Sequence, residues 1–96
     1  MAGKPIRVVR VRIRGRVQGV SYRAWTAETA EALDLAGWVR NRADGSVEAL
    51  LAGDPDKIAE MLQRCREGPW GARVREVMIE EEGGEAPDGF DIRPTL

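Results

Sequence analysis

The sequence predicts an α+β fold of the ferredoxin-like βαββαβ type: an antiparallel sheet with two helices on one face and a short extra C-terminal strand. Apolar and charged residues alternate along several segments, two segments carry apolar residues at helical spacing, and the order strand-helix-strand occurs twice. With 96 residues, 43% hydrophobic and 32% charged, the chain suits one compact domain over residues 1–96 and is too short for two. This architecture hosts many unrelated activities, so function must be argued from a site.

The first half of the chain predicts a strand, a tight loop and a helix. Apolar residues from Val9 to Ile13 alternate with arginines, which is the period-two pattern of a half-buried strand over residues 9–14. Two glycines then break the alternation. A helix over residues 22–36 follows, and Gly37 suits its C-terminal cap.

The middle of the chain predicts a β-hairpin. Residues 38–42 and residues 47–52 have the composition of strands, and only four residues separate them. Asp44 and Gly45 lie between the two strands, and an Asp-Gly pair is a strong turn signal.

The last third of the chain predicts a second helix and two further strands. Asp54 and Pro55 supply an N-cap and a proline at the first helical position, and the helix ends near Gly68. Residues 74–82 alternate imperfectly as a fourth strand. After an acidic Gly/Pro-rich loop, residues 90–92 predict a short last strand.

Three arginines, Arg10, Arg12 and Arg14, alternate with the apolar residues of the first strand. Two helices on one face of the sheet leave the other face to water, so these side chains are expected on that open face. We interpret this arginine stripe as a solvated sheet face in preference to a dedicated binding surface.

The amino-acid composition limits the kinds of site and partner that this chain is expected to have. The chain has no histidine, the commonest metal ligand, and its one cysteine, Cys65, cannot supply a multi-thiolate metal site and falls on the core side of a helical pattern. We expect no cofactor. A net charge of -1 gives no strong attraction to nucleic acid or to an anionic membrane. The first residues lack the apolar run of a secretory signal, and no segment is apolar enough to span a bilayer, so we expect a cytoplasmic protein.

The loop between the first strand and the first helix is the candidate site. Gly15 and Gly19 permit turns that direct the amides of residues 18–23 inward at the positive end of the helix dipole, where oxyanions bind. Arg23 could contact the same anion, and the carboxamide of Asn41 could position a water. From the residues alone, the glycines are better explained as residues that end the strand and form a tight loop, and Asn41 as a turn residue at the end of a strand. Arg23 could form a surface salt bridge instead of binding an anion.

Two longer stretches resemble the acylphosphatase family. Residues 15–23, GRVQGVSYR, are similar to its first signature, and residues 37–48, GWVRNRADGSVE, are similar to its second. They occur in the right order and separation, and further similarity to residue 92 extends the resemblance over nearly the whole chain.

The resemblance implies metal-independent hydrolysis of an acyl phosphate to a carboxylate and inorganic phosphate. It implies that Arg23 and Asn41 are catalytic, with Arg23 on the phosphoryl oxygens and Asn41 on the attacking water, and that Gly15 and Gly19 shape the loop. The phosphate-binding residues it implies are Arg16, Val17, Gln18, Gly19, Val20, Ser21, Tyr22 and Arg23. Arg42 departs from the family pattern, in which a small hydroxyl residue often follows the asparagine, and this leaves the details of water positioning open.

As partners we expect a small-molecule acyl phosphate, no nucleic acid and no membrane, and we expect a monomer. Two other interpretations stay open. One is a nucleic-acid-binding module on the open sheet face, although arginines stand there where stacking aromatic residues would be needed. The other is an accessory domain that keeps the phosphate cradle without turnover, as acylphosphatase-like domains inside larger maturation enzymes do.

Overall fold

The computed structural model describes residues 5–96; residues 1–4, where the sequence analysis expects no secretory signal, lie outside the described part. The order of the elements confirms the predicted βαββαβ arrangement with an extra strand. The elements are β1 (Arg7–Arg16), α1 (Tyr22–Ala32), β2 (Ala36–Asn41), β3 (Val47–Gly53), α2 (Pro55–Glu67), β4 (Arg73–Glu82) and β5 (Phe90–Ile92).

The strands form one sheet in the order β4-β1-β3-β2-β5. The first four strands pair in antiparallel fashion, whereas β5 runs parallel to β2, so the short last strand makes the sheet mixed. Because β1 and β2 both flank β3, they run in the same direction and α1 is the crossover between them. The two helices contact each other and the sheet, as the ferredoxin-like prediction requires.

The core lies between the helices and the sheet. Alternate residues of β1 and β3 face the helices, and each such side chain contributes about 1.5–3 kcal/mol on burial. The fully buried members of this layer include Val9, Val11, Ile13, Val47, Leu51, Ile58, Met61 and Cys65. Burial raises the pKa of the Cys65 thiol to about 11, although the nearby Tyr22 hydroxyl acts in the opposite direction, so this cysteine is a core residue as predicted.

The predicted end of the first helix is wrong by four residues. The helix ends at Ala32, and Asp34 takes a left-handed conformation (φ 58°), which turns the chain so that Leu35 is buried. Gly37 is therefore no helix cap but a residue of β2. A Cβ atom there would lie 1.8 Å from the carbonyl oxygen of Leu50, so the close approach of β3 requires glycine.

Strand β1 is longer than predicted and includes Gly15, which the sequence analysis places in the loop. The pairing of β1 with β4 shifts register between Arg14 and Gly15. A Cβ atom at Gly15 would lie 2.2 Å from the carbonyl oxygen of Arg73. Gly15 thus allows the two strands to approach at the point where β1 leaves for the loop.

The open face of the sheet carries an ion-paired cluster around Glu48 of β3, which is only 2% exposed. Its carboxylate accepts hydrogen bonds from Arg10 (3.0 Å), Arg40 (2.7 Å) and Arg42 (3.1 Å), and Arg12 lies 3.9 Å away. The arginine stripe is therefore a half-buried, ion-paired face and not a simply solvated one. We call Glu48 and these four arginines the Glu48 cluster.

No helix in residues 5–96 is long and apolar enough to cross a membrane.

Candidate active site

One cleft of about 480 Å³ lies where the β1–α1 loop (residues 17–21), the first turn of α1 and the end of β2 meet. Among residues 5–96, Arg23 is the only charged residue that lines it, so these residues give the cleft one positive charge and no carboxylate. The lining residues are Val17, Gly19, Ser21, Tyr22, Arg23, Ala24, Asn41 and Ile92.

In the described part of the chain, the amides of the β1–α1 loop from residue 18 onward have no protein partners. Gly19 (φ 75°) and Ser21 (φ 62°) both adopt left-handed conformations, which is rare for serine. Within residues 5–96, no main-chain or side-chain acceptor takes a hydrogen bond from the amides of residues 18–24. Such a run of amides at a helix N-terminus, with alternating hand of the backbone, is the arrangement that binds oxyanions.

Arg23 is the second residue of α1 and is half-buried at the wall of the cleft. It forms no ion pair with any residue in the described part of the chain, so the surface salt bridge considered for it does not occur there. Its guanidinium therefore has donors available for an anion in the cleft.

Asn41 is the last residue of β2 and faces the same cleft. It pairs with Val47 across the hairpin, and the turn after it is held by a hydrogen bond from the Arg42 amide to the Ser46 carbonyl (2.8 Å). Among the described residues, its side chain makes no hydrogen bond. A carboxamide so placed can donate to one group and accept from another, which is what orienting a water requires.

The hairpin turn forms at the predicted Asp44 and Gly45. Gly45 has a φ of 92°, and its amide donates to the Arg42 carbonyl at 3.1 Å. The Asp44 carboxylate accepts from the Ser46 amide at 2.9 Å, and the Ser46 hydrogen bonds hold the pKa of Asp44 below its usual range. The end of β2 is thus fixed on both sides of the turn.

Not every predicted phosphate-binding residue faces the cleft. Arg16 lies at the end of β1 beside a different depression that it shares with Trp70 and Arg73. The side chain of Val17 is buried and that of Val20 packs against the core, so these two side chains anchor the loop. Neither side chain is therefore placed to contact a ligand in the cleft through a polar group.

Tyr22 contributes a buried ring, and its hydroxyl donates to the carbonyl oxygen of Cys65 at 2.7 Å. Burial, together with the neighbouring Cys65, raises the pKa of Tyr22 above its usual range. The phenol is therefore neutral and occupied, and does not serve as an acid or base in the cleft.

Arg42 turns away from the cleft toward the Glu48 cluster, where its Nη1 atom lies 3.1 Å from the Glu48 carboxylate. The residue that departs from the family pattern therefore supports the hairpin from the opposite face of the sheet. Within residues 5–96, no three acidic, cysteine or histidine residues are placed to hold a metal ion.

Two features, one in the cleft and one beside it, were not predicted from the sequence. Ile92 of β5 forms part of the wall, and no pattern in a three-residue strand indicates which side faces a site. The side chain of Gln18 leaves the loop and bonds to the hairpin turn. A hydrogen bond from a side chain to carbonyl oxygens this far away in the sequence leaves no local pattern from which it could be predicted.

Comparison with known proteins shows the family of the chain. The sequence model described as acylphosphatase matches residues 9–92. The chain belongs to the acylphosphatase family. This confirms the resemblance carried by the two signatures and the expectation of an enzyme.

Relatives of similar length support the assignment. The chain is 65% identical over 92 residues to an acylphosphatase of Rhodopseudomonas palustris (strain BisB5), covering 90% of this chain and 93% of that protein. It is 49% identical over 96 residues to an acylphosphatase of Rhizorhabdus wittichii, covering 99% and 97%. The solved structure of an acylphosphatase from Coxiella burnetii superposes with a TM-score of 0.87 at 36% identity, covering 92% of this chain and 93% of that one.

Proposed function

We propose that this acylphosphatase-family chain hydrolyses the carboxyl-phosphate bond of acyl phosphates without a metal, using the loop amides and Arg23 for the phosphate and Asn41 for the water. The observation that carries the proposal is the cleft itself: Gly19, Ser21, Tyr22, Arg23 and Ala24 line it with amides that have no partner within residues 5–96, together with the Arg23 guanidinium and the Asn41 carboxamide, which have none there either. Such a set of donors matches a phosphoryl group and leaves one polar group for the nucleophile.

The leaving group explains how a chain without histidine can perform this reaction. An acyl phosphate releases a carboxylate, whose conjugate acid has a pKa of about 4, so no general acid is needed to protonate it. What remains is to hold the phosphoryl group in line with a water and to stabilise charge on its oxygens. Fixed amides and one arginine do this without reorganising.

In this mechanism Asn41 accepts a hydrogen bond from the attacking water and aims its oxygen at phosphorus. The water's proton passes to a phosphate oxygen of the substrate, because Tyr22, which among residues 5–96 is the one titratable group besides Arg23 that lines the cleft, is buried and neutral. The P–O bond to the acyl group breaks as the bond from water to phosphorus forms, and the products are a carboxylate and inorganic phosphate.

We further propose that the chain acts as a cytoplasmic monomer on a small-molecule substrate and binds neither nucleic acid nor membrane. The absence of nucleic-acid and membrane binding is supported by the open sheet face, where the guanidinium groups of Arg10 and Arg12 are already paired with Glu48 and Glu80. An oligonucleotide titration at several salt concentrations checks this: little binding, without a steep salt dependence, is expected.

The test of the proposed function is phosphate release from acetyl phosphate in the presence of a metal chelator, with glycerol phosphate as the matched substrate. The chain should hydrolyse acetyl phosphate at an unchanged rate with chelator and should leave glycerol phosphate intact, since an alkoxide leaving group needs an acid that the cleft lacks. Loss of activity on chelation, or equal activity on both substrates, would contradict the proposal.

A further inference from the structure

We infer that the side chain of Gln18 is a positioning residue that sets Asn41 relative to the bound phosphate; the inference rests on the proposed function. Its amide nitrogen donates two hydrogen bonds across the cleft edge, to the carbonyl oxygen of Arg42 at 2.8 Å and to that of Ser46 at 2.9 Å. Gln18 thus links the β1–α1 loop to the turn that begins directly after Asn41.

The two acceptors close the hairpin turn that follows Asn41. The Arg42 carbonyl also accepts from the Gly45 amide at 3.1 Å, and the Ser46 carbonyl accepts from the Arg42 amide at 2.8 Å. Gln18 fills the second acceptor position of each oxygen, and both of its amide hydrogens are used. A shift of the turn relative to the loop would break both bonds together.

This geometry assigns Gln18 a different task from its neighbours in the loop. Its side chain is half-buried against the turn and does not line the cleft, so it does not touch the phosphate itself. Its own main-chain amide is the first of the anion-binding run, and Asn41 lies one residue before Arg42, whose carbonyl oxygen Gln18 holds. Gln18 therefore connects the group that binds the phosphate with the group that aims the water.

The sequence context explains why one glutamine can do this. The β1–α1 loop begins where β1 ends beside β3, and the β2–β3 turn lies at the same end of these strands. The two loops are therefore neighbours in space, although 24 and 28 residues separate the bonded pairs in the sequence. A side chain with two donors on one atom suits a site where two carbonyl oxygens converge. Misplacement by about 1 Å in such a site costs a large factor in rate.

A double-mutant cycle with Asn41 tests the inference. Gln18→Met keeps the length and removes both donors, while each carbonyl keeps its main-chain partner, so the fold should survive. We expect kcat on acetyl phosphate to fall about tenfold to a hundredfold, with the affinity for inorganic phosphate little changed. In the Asn41→Ala background, the same substitution should lower kcat by less than about twofold, because no aimed water is left to misplace.

Controls separate positioning from a general loss of structure. Gln63→Met makes the same change on the exposed side of α2 and should leave kcat unaltered. Gln18→Asn keeps the amide, but its side chain is too short to reach both carbonyl oxygens. If Gln18→Met does not fold, Gln18→Asn replaces it in the double-mutant cycle with Asn41→Ala.

The outcomes distinguish the inference from the proposed function. An inactive unaltered protein would refute the proposed function and the positioning role with it. An active protein in which the losses at positions 18 and 41 multiply, or in which Gln18→Met mainly weakens phosphate binding, would overturn the positioning role alone.

Discussion

At the scale of single residues, Tyr22 joins the site to the core through one hydrogen bond. The Cys65 carbonyl belongs to the last turn of α2, and the residue four positions later is Pro69, which has no amide hydrogen. The Tyr22 hydroxyl supplies the missing donor at 2.7 Å. The first residue of α1, beside the anion-binding loop, is thereby tied to the end of α2.

Removing that hydroxyl should destabilise the fold. Tyr22→Phe leaves a buried carbonyl without its partner, so we expect a loss of about 1–2 kcal/mol in the free energy of unfolding, measured with urea. Trp70→Phe, which alters a ring that is 98% exposed, should change it little. A Tyr22→Phe protein as stable as the unaltered one would show that the bond contributes nothing.

The same residue offers a spectroscopic check. Tyr22 is the only tyrosine of the chain, and burial followed by its contact with Cys65 raises the pKa of its phenol above the ordinary 10.0. The phenolate absorbance should therefore not appear near pH 10 in the folded protein and should appear on unfolding. A normal titration in the folded protein would contradict the assigned burial.

At the scale of elements, the Glu48 cluster joins strands β1, β2 and β3 on the open face of the sheet. Burial by itself would raise the pKa of Glu48, but the hydrogen bond and charge of Arg40, with Arg10 and Arg42, outweigh burial and hold the pKa below its usual range. A carboxylate with a lowered pKa stabilises the fold above its ordinary value of 4.5, and this stability is lost as the pH falls through the folded pKa.

Glu48→Gln tests the cluster. At pH 7 the substitution should cost about 3 kcal/mol, because it leaves arginines gathered around a neutral side chain. The cost should shrink as the pH falls below about 4.5, where the unaltered protein loses the same charge. Urea unfolding from pH 7 to pH 3 measures this difference, and Glu67→Gln on α2 is the exposed control. A difference between the two proteins that does not depend on pH would contradict the account.

The elements also show what the sequence could and could not predict. The predicted bounds of β3, β4, α2 and β5 agree closely with the structure, since each depends on a local pattern. The end of α1 was missed because Asp34 takes a left-handed conformation that only the burial of Leu35 explains. Gly37 is required by the carbonyl of Leu50, a contact with another strand that no local pattern contains.

At the scale of the whole molecule, the topology brings together the two signature segments, residues 15–23 and residues 37–48, which are separate in the sequence. The order β4-β1-β3-β2-β5 places the exit of β1 and the end of β2 on either side of β3, so Arg23 and Asn41 reach one cleft. The family resemblance indicated these residues. Composition and spacing alone favoured a turn residue at Asn41, and only the shared cleft gives its carboxamide a reason to be unpaired.

The same topology divides the two faces of the sheet between two kinds of arginine. Those of the Glu48 cluster are held by carboxylates on the open face, whereas Arg23, on the helical side, has no carboxylate partner among residues 5–96. The net charge of the chain does not distinguish the arginines of the Glu48 cluster from Arg23. Arg23 differs from the cluster arginines in that it lines the cleft beside the loop amides.

The most direct test of the account compares Arg23→Ala and Asn41→Ala in hydrolysis of acetyl phosphate and in binding of inorganic phosphate, with Arg66→Ala on exposed α2 as control. Arg23→Ala should lower kcat/KM about a thousandfold and weaken phosphate binding. Asn41→Ala should lower kcat about a hundredfold while phosphate binding is kept. Near-normal kcat/KM in the Arg23→Ala protein would contradict the central claim that this guanidinium and the loop amides hold the reacting phosphate.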